Sequence, residues 1–479
     1  DNGDSAGTIE SYLAARTAAP LSDAAAAARG AAGFLAEGWC QEALGDVAAA
    51  EACWSEVVER HAGSGALVPA LVARGDLRLR RGAAAEGLAD AERVIAAPGV
   101  PEALGSQATL VAALCEGAEG RHAEAAARLA ALAAARPEAA DADRVLLELG
   151  IAQARAGDAA AAERTLDGLR TRFPRSPRVA EAWLETGESR FAGADWQGAA
   201  DAYRAVLGAS KVDDAAAAAI REQALHKLAW TFAMRDDPGA AGAFAAQLEA
   251  HPRGACAADA RVMLGDALFR SGRVDEALPV LEEALATAAA ISSPDLEALA
   301  VVRAAGCEVH GGDGEGALGR LDAWWPRSGG AEVSPRSRAV ARFTRADALH
   351  RSGRLDESLA AFRSLADEAI SGGEGAAAGA EAAARARLME GEILFEQKRH
   401  ADAVAAFFKV AYGFGDRAAP PSLHPWQAQA TFEAARCCDV LGKPEQALSL
   451  YAELVERYPE APFVAAARKR IDALGDRRR

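Results

Sequence analysis

Three acid–aromatic pairs with identical spacing are the residues of this chain best suited to binding chemistry. In each pair an acid precedes a phenylalanine by three residues: Glu188/Phe191, Asp266/Phe269 and Glu392/Phe395. Residues three apart lie on one face of a helix. A carboxylate beside an aromatic ring can hold a Lys or Arg side chain together with an apolar anchor. The pattern therefore predicts non-covalent recognition.

Residues for catalysis or metal binding do not occur in workable spacings. His122 and His400 each have an acid two residues further on, which places the two side chains on different faces of a helix. The string GEGALG at 314–319 matches a dinucleotide-binding pattern, but no strand is predicted before it, and the binding mechanism needs one. The sequence holds no G-x-S-x-G, phosphate-loop or C-x-x-C string. We therefore expect no enzymatic activity, no metal site and no cofactor.

The elements that would position the acid–aromatic pairs come from a block that recurs eleven times. It consists of a marker residue, a few small or polar residues, an alanine and then a large apolar residue, as in GDAAAAERTL from Gly157. A period of about 20–50 residues indicates a repeat architecture. The marker residues are Gly45, Gly82, Gly120, Gly157, Ala194, Asp236, Gly272, Gly312, Gly353, Lys398 and Gly442.

Each block is predicted to be the turn and second helix of a helix hairpin. Apolar residues recur at spacings of three and four, and the residue seven places before every marker is Gly or Ala, which allows two helices to approach closely. The marker ends the first helix because glycine adopts a left-handed conformation without a Cβ clash. Expected N-caps of second helices are Asp46, Asp158, Asp195 and Asp313, and expected helix-ending prolines are Pro137, Pro174 and Pro459.

The repeats resemble the tetratricopeptide repeat family over nearly the whole chain. The best matches are AWLETGESRFAGADWQGAADAYRAVL at 182–207 and ARCCDVLGKPEQALSLYAELVERYPEAP at 435–462. The second is similar to repeats of bacterial envelope proteins, namely outer-membrane assembly lipoproteins and cell-division coordinators. The resemblance implies an all-α, right-handed α-solenoid of about eleven stacked helix-turn-helix repeats, although these units are longer than the usual length of about 34 residues.

We expect three segments along the chain. Residues 1–22 would form a flexible lead with an N-terminal capping helix, residues 23–474 a continuous solenoid, and residues 475–479 a basic tail. Looser junctions are expected near 286–296, 371–380 and 413–426, where glycine, proline and small polar residues interrupt the helical pattern.

Composition and charge limit the partners and the compartment. The net charge of −16 argues against non-specific nucleic-acid binding, and no apolar stretch is long enough for a membrane span. The chain begins with Asp, which suits a processed protein, one tethered by a lipid anchor upstream, or a fragment of a larger protein. We expect the bacterial periplasm or cell envelope. The alternative is the cytoplasm, which suits seven cysteines without disulfide spacing; the vicinal Cys437–Cys438 is interpreted as core packing rather than a redox pair.

The family resemblance implies that the first helices line a concave groove used for binding. The inner positions, six and three residues before a marker, include the predicted groove residues Trp39, Asp76, Glu188, Phe191, Trp230, Asp266, Phe269, Asp347, Glu392 and Phe395. The Lys and Asn set with which some relatives clamp a C-terminal carboxylate is absent from these positions. The structural alternative is that the phenylalanines pack between neighbouring repeats while the acids are merely solvated.

The predicted function is a non-catalytic scaffold. It would bind a peptide-like segment of a partner protein that carries basic and apolar side chains, in bacterial cell-envelope assembly. Two alternatives stay open: a peptide-responsive regulator or sensor, and the adaptor domain of a larger multi-domain protein.

Overall fold

A computed structural model describes residues 24–209, 215–325, 333–371 and 376–476. The expected lead and capping helix at 1–22 and the last three residues of the expected basic tail lie outside these ranges. The described residues form twenty-three α-helices and three short 3₁₀ helices, and they contain no strand. The chain divides into two compact units, residues 1–235 and 236–479. Continuity of the solenoid from 23 to 474 stays a prediction.

The first unit consists of five helix hairpins and one further helix. Its helices are α1 (Ala24–Ala43) with α2 (Val47–Arg60), α3 (Leu67–Arg80) with α4 (Ala84–Ile95), α5 (Glu102–Ala118) with α6 (His122–Ala135), α7 (Ala142–Arg155) with α8 (Ala159–Arg172), α9 (Val179–Ala192) with α10 (Trp196–Ala209), and α11 (Ala215–Met234).

The second unit begins with a single helix, continues with five hairpins and ends with another single helix. These are α12 (Ala240–Ala250), α13 (Ala257–Arg270) with α14 (Val274–Ala286), α15 (Pro294–His310) with α16 (Gly314–Trp324), α17 (Pro335–Arg351) with α18 (Leu355–Ser371), α19 (Ala376–Glu396) with α20 (His400–Ala411), α21 (His424–Val440) with α22 (Pro444–Arg457), and α23 (Val464–Asp476).

The turns that follow the first helices confirm the predicted markers. All eleven marker residues have positive φ, including the three that are not glycine: Ala194 at 59°, Asp236 at 52° and Lys398 at 62°. The four predicted N-cap aspartates each accept a hydrogen bond from the backbone N–H three residues further on, at 2.8–3.0 Å. The three predicted prolines each follow the C-cap residue of a second helix. The local signals at both ends of the turn therefore act as expected.

Within a hairpin, the small residue seven places before the marker faces a large residue nine places after it. A Cβ on Gly187 would lie 2.4 Å from the ring of Tyr203, and one on Gly391 would lie 2.4 Å from the ring of Phe407. Both aromatic side chains are fully buried. The absence of a side chain on the first helix thus leaves the space that the second helix fills.

Stacking of hairpins supplies the remainder of the core. Consecutive first helices pack against each other from α3 to α11 and from α13 to α21, and each second helix packs against the first helix that follows it. The buried apolar residues form successive clusters along each unit instead of one centre. This arrangement confirms the predicted all-α solenoid of helix-turn-helix repeats. In the described part of the chain, every helix is too short or too polar to cross a membrane.

The two looser junctions that the structure describes in full are compact. Residues between α14 and α15 form a short 3₁₀ turn, Ala288–Ala290, and Ser293 caps α15. The junction at 413–426 holds two more such turns, Asp416–Ala418 and Pro421–Leu423. Its backbone carbonyls at 413 and 416 accept hydrogen bonds from the buried amide of Gln427, which orders the loop.

Candidate binding face of the first helices

The predicted groove residues all lie on first helices, because their distance from the marker turn is constant. We define the first-helix face as the residues three, six and nine positions before each marker. Five predicted residues belong to the first unit, on α1, α3, α9 and α11, and five to the second, on α13, α17 and α19. Trp39 is 48% exposed, Asp266 is buried, and the other eight are half-buried.

The first acid–aromatic pair is occupied by a lysine of the next first helix. Lys227 on α11 donates a hydrogen bond from Nζ to Oε2 of Glu188 at 2.9 Å, and the same Nζ lies 5.7 Å from the centre of the Phe191 ring. The hydroxyl of Tyr203 donates to the other carboxylate oxygen of Glu188 at 3.1 Å. Phe191 also packs edge-on against Trp196, with 5.0 Å between ring centres.

The second pair repeats this arrangement with an arginine. Nε of Arg303 on α15 donates to Oδ1 of Asp266 at 2.5 Å, and its guanidinium carbon lies 5.0 Å from the centre of the Phe269 ring. A Cβ on Gly306 would lie 3.1 Å from that ring, so Phe269 packs closely against the neighbouring repeat. Lys227 and Arg303 both stand nine residues before their own marker. In these two pairs, the chain itself supplies the basic side chain expected from a partner, and the phenylalanines pack between repeats.

The third pair has no such cation on its acid. The residue nine before the marker Gly442 is Glu433, and the basic residue is Arg436, one turn later, whose guanidinium lies 5.4 Å from the Phe395 ring and 2.6 Å from Glu433. Among the described residues, none forms a hydrogen bond or ion pair with Glu392. Burial, and next the nearby charge of Glu433, raise the pKa of Glu392. The acid of this pair is therefore the one left open.

The remaining predicted residues have varied surroundings. Asp76 pairs with Arg80 of its own helix at 3.0 Å. The indole N–H of Trp230 donates to Nε2 of His226 at 2.9 Å. Burial raises the pKa of Asp347.

In two places, predicted residues lie on consecutive first helices of one unit that pack against each other. Glu188, Phe191 and Trp230 lie on consecutive first helices of the first unit, and Asp347, Glu392 and Phe395 lie on consecutive first helices of the second. The latter helices are also joined by His350 and Glu396, 2.7 Å apart. Trp39 and Asp76 lie on α1 and α3, several hairpins before Glu188, and are not part of either group.

Sequence reasoning missed two acids of the same face. Glu148 on α7 and Glu185 on α9 stand nine residues before their markers, one turn from the positions used in the prediction. Burial is the main cause that raises the pKa of Glu148 and the pKa of Glu185. The nearby negative charge of Glu188 raises the pKa of Glu185 further. The signal was present, because Glu185 and Glu188 repeat the i, i+3 spacing of the acid–aromatic pairs.

The vicinal cysteines lie in the core, as interpreted from the sequence. Cys437 and Cys438 are both buried, and burial raises the pKa of Cys437 to about 12. A thiol of that pKa is almost entirely protonated at neutral pH and is a poor nucleophile. Within the described ranges, no three His, Cys, Asp or Glu side chains converge as metal ligands.

Solved structures that resemble the chain include a human IFIT1 dimer with m7Gppp-AAAA (15% identity, 78% of this chain and 81% of that chain, TM-score 0.38) and the apo form of RapI (10% identity, 82% and 98%, TM-score 0.42). A monomeric IFIT1 mutant with the same capped RNA matches equally (15% identity, 78% and 82%, TM-score 0.38). These similarities are too distant to transfer a ligand. No curated protein sequence matches the chain.

Family models give the stronger result. One tetratricopeptide repeat model matches residues 147–214, 232–294, 262–324 and 343–422, and a second matches 428–461. Such repeats support a protein- or peptide-binding scaffold, a fold class that is typically non-catalytic. Because the matches cover more than half of the sequence and confirm the resemblance drawn from its repeats, the chain belongs to the tetratricopeptide repeat family.

Proposed function

We propose that this protein is a non-catalytic scaffold that binds a basic, peptide-like segment of a partner protein along its first-helix faces. One observation carries the proposal. Four half-buried carboxylates of first helices make no hydrogen bond or ion pair with any described residue: Glu148, Glu185, Asp347 and Glu392.

Within the described part of the chain, these four carboxylates lack a hydrogen-bonded or ion-paired group that would stabilise their negative charge. A carboxylate partly withdrawn from water is disfavoured in its ionised form unless a cation or hydrogen-bond donor compensates. The chain compensates Glu188 and Asp266 with its own Lys227 and Arg303, and this supports a basic side chain as the group that would pair with the open acids. A Lys or Arg of a partner would do the same at the open acids, and the net charge of −16 would speed its approach.

The experiment measures binding of a labelled lysine- and leucine-rich peptide by fluorescence anisotropy, with a glutamate-for-lysine version as the ligand control. Two double variants, E148Q/E185Q and D347N/E392Q, remove the open acids of one unit each. We expect the lysine peptide to bind several-fold more weakly to each variant, with a shallower dependence on salt.

The charge-matched control is E276Q/E357Q. Glu276 and Glu357 lie on second helices, are exposed, and pair with Arg273 at 2.6 Å and Arg354 at 2.7 Å, so the double variant removes two negative charges without changing the first-helix face. Equal weakening by E276Q/E357Q and by the other double variants would mean that overall charge, not these positions, governs binding, and the proposal would fail.

The compartment is a separate part of the proposal. We place the protein in the bacterial periplasm or cell envelope, supported by the similarity of residues 435–462 to repeats of envelope proteins. The genomic sequence upstream of the codon for Asp1 tests this directly. A signal peptide or lipid-attachment cysteine is expected there, and an initiator methionine a few codons upstream would contradict it.

A further inference from the structure

A pocket of about 320 Å³ lies at the C-terminal end of the second unit, beside the open acid of the third pair. It is lined by Phe395 of α19, by Phe432, Arg436, Asp439 and Val440 of α21, by Tyr451 of α22, and by Ala466 and Arg470 of α23. Sites for small ligands measure roughly 300–1,000 Å³. This pocket is at the lower limit, a size that suits a single large apolar side chain.

Three of the eight residues that line the pocket are aromatic: Phe395, Phe432 and Tyr451. Phe432 packs edge-on against Tyr451, with 5.8 Å between ring centres, and stacks on Phe463 at 5.2 Å. Val440 stands at the rim and is 58% exposed, the largest exposed fraction among the large apolar residues of the described chain. An exposed valine beside an aromatic pocket wall offers apolar area whose burial by a ligand would contribute binding free energy.

One polar group of the wall is unused. Tyr451 is 2% exposed, and within the described ranges its hydroxyl makes no hydrogen bond, while burial raises its pKa to about 12. At the pocket wall this hydroxyl can donate to a backbone carbonyl, or accept from a backbone N–H, of a bound segment.

The charges of the pocket select against an anionic occupant. Arg436 already pairs with Glu433 at 2.6 Å, and Arg470 pairs with Asp439. An anion would have to displace a carboxylate from one of these arginines. The open charge nearby is instead negative: Glu392 precedes Phe395 by one helical turn, a rise of about 4.5 Å.

We propose that this pocket binds an apolar side chain of the partner segment, and that a Lys or Arg one or two residues away in that segment contacts Glu392. The inference rests on the proposed function and deepens it, since it names the partner motif and assigns it to the last two hairpins and α23. An extended segment advances about 3.3 Å per residue, so neighbouring side chains reach both points. One ligand would then cover both the exposed Val440 and the unpaired Glu392.

The experiment selects peptides from a random phage-displayed library on the full chain and measures their affinity by fluorescence anisotropy. We expect a consensus with a large apolar residue next to, or one residue from, Lys or Arg. V440D places a charge at the pocket rim and should weaken the selected peptide at least about tenfold. E392Q should weaken it several-fold.

The matched control for V440D is V340D. Val340 on α17 is also an exposed apolar residue, 42% exposed, and lies outside the pocket, so V340D should bind the peptide as the unaltered chain does. Circular dichroism melts of all variants check the fold.

Two negative outcomes have different meanings. Selected peptides that are basic but need no apolar residue, and that bind V440D normally, would overturn the pocket inference and leave the proposed function standing. Selected peptides without Lys or Arg, with affinities unchanged by E148Q/E185Q and by E392Q, would overturn the proposed function itself.

Discussion

Lys227 donates a hydrogen bond to Glu188 at 2.9 Å, although the two residues lie on different first helices. Arg303 bonds Asp266 in the same way two repeats later. The acid–aromatic pair is thus a joint between consecutive first helices wherever the next helix carries a base nine residues before its marker. Where that position holds Glu433 instead, the joint is not made, and Glu392 has no hydrogen bond or ion pair with a described residue.

These joints should differ in their contribution to stability. Glu188 and Lys227 are both about one-third exposed, so K227Q should lower the free energy of unfolding by no more than about 1 kcal/mol. The Asp266 side chain is only 9% exposed, and D266N removes the negative charge that pairs with Arg303, so we expect a loss of about 2–3 kcal/mol. Urea unfolding midpoints measure both. Equal losses would show that burial does not set the strength of the joint.

The open acid should make stability depend on pH with an unusual sign. The folded-state pKa of Glu392 is raised, so the folded protein holds this proton more tightly than the unfolded chain. The contribution of Glu392 is therefore complete below its unfolded pKa near 4.5 and is lost as pH rises through the raised folded value. E392Q should match the unaltered protein near pH 4 and be at least as stable at pH 7.

Glu276 gives the opposite sign and is the comparison for that experiment. Its pKa is lowered by the hydrogen bond from Arg273, so its contribution is present above the unfolded pKa and is lost as pH falls through the folded value. E276Q should thus gain nothing at pH 7. Thermal melts across this pH range measure both variants, and a loss of stability at pH 7 in E392Q would contradict the assignment of Glu392 as uncompensated.

Close packing inside a hairpin can be tested with two glycines of the fourth repeat. A Cβ on Gly150 would lie 2.5 Å from Cδ2 of the buried Leu166, and G150A should cost about 1–3 kcal/mol of unfolding free energy. Gly168 lies within α8 of the same hairpin with no atom within 4 Å of such a Cβ, so G168A should be neutral or stabilise by about 0.5–1 kcal/mol. Urea titration separates them. A G150A protein as stable as G168A would show that the helices can move apart without cost.

Thiol labelling tests the interpretation of Cys437 and Cys438. Both are buried and Cys437 has its pKa raised to about 12, so neither should react with Ellman's reagent at pH 8 until the protein unfolds. The half-buried Cys40, Cys53 and Cys256 should react first. The C437A/C438A variant should keep its peptide affinity. A disulfide between the two cysteines formed in the native protein under mild oxidant would instead establish redox chemistry at this position.

The sequence by itself determined the hairpins and their turns. The left-handed markers and the aspartate caps depend on the backbone sterics and hydrogen bonding of a few adjacent residues, and the Gly or Ala opposite a large residue recurs with the period of the repeat. Such signals are local, so spacing alone identified them, even where Ala194, Asp236 and Lys398 replace glycine. The stripe of first-helix acids was also visible, although its turn with Glu148 and Glu185 was overlooked.

Only the tertiary structure decided which acids are open. That outcome depends on a side chain about 40 residues away, because Lys227 and Arg303 reach their acids across the contact between neighbouring first helices. The geometry of that contact, and the pocket that α21, α22 and α23 form beside Phe395, arise from the packing of whole repeats. Charge compensation acts through space. Of two acids with the same local sequence pattern, one can therefore be ion-paired and the other unpaired.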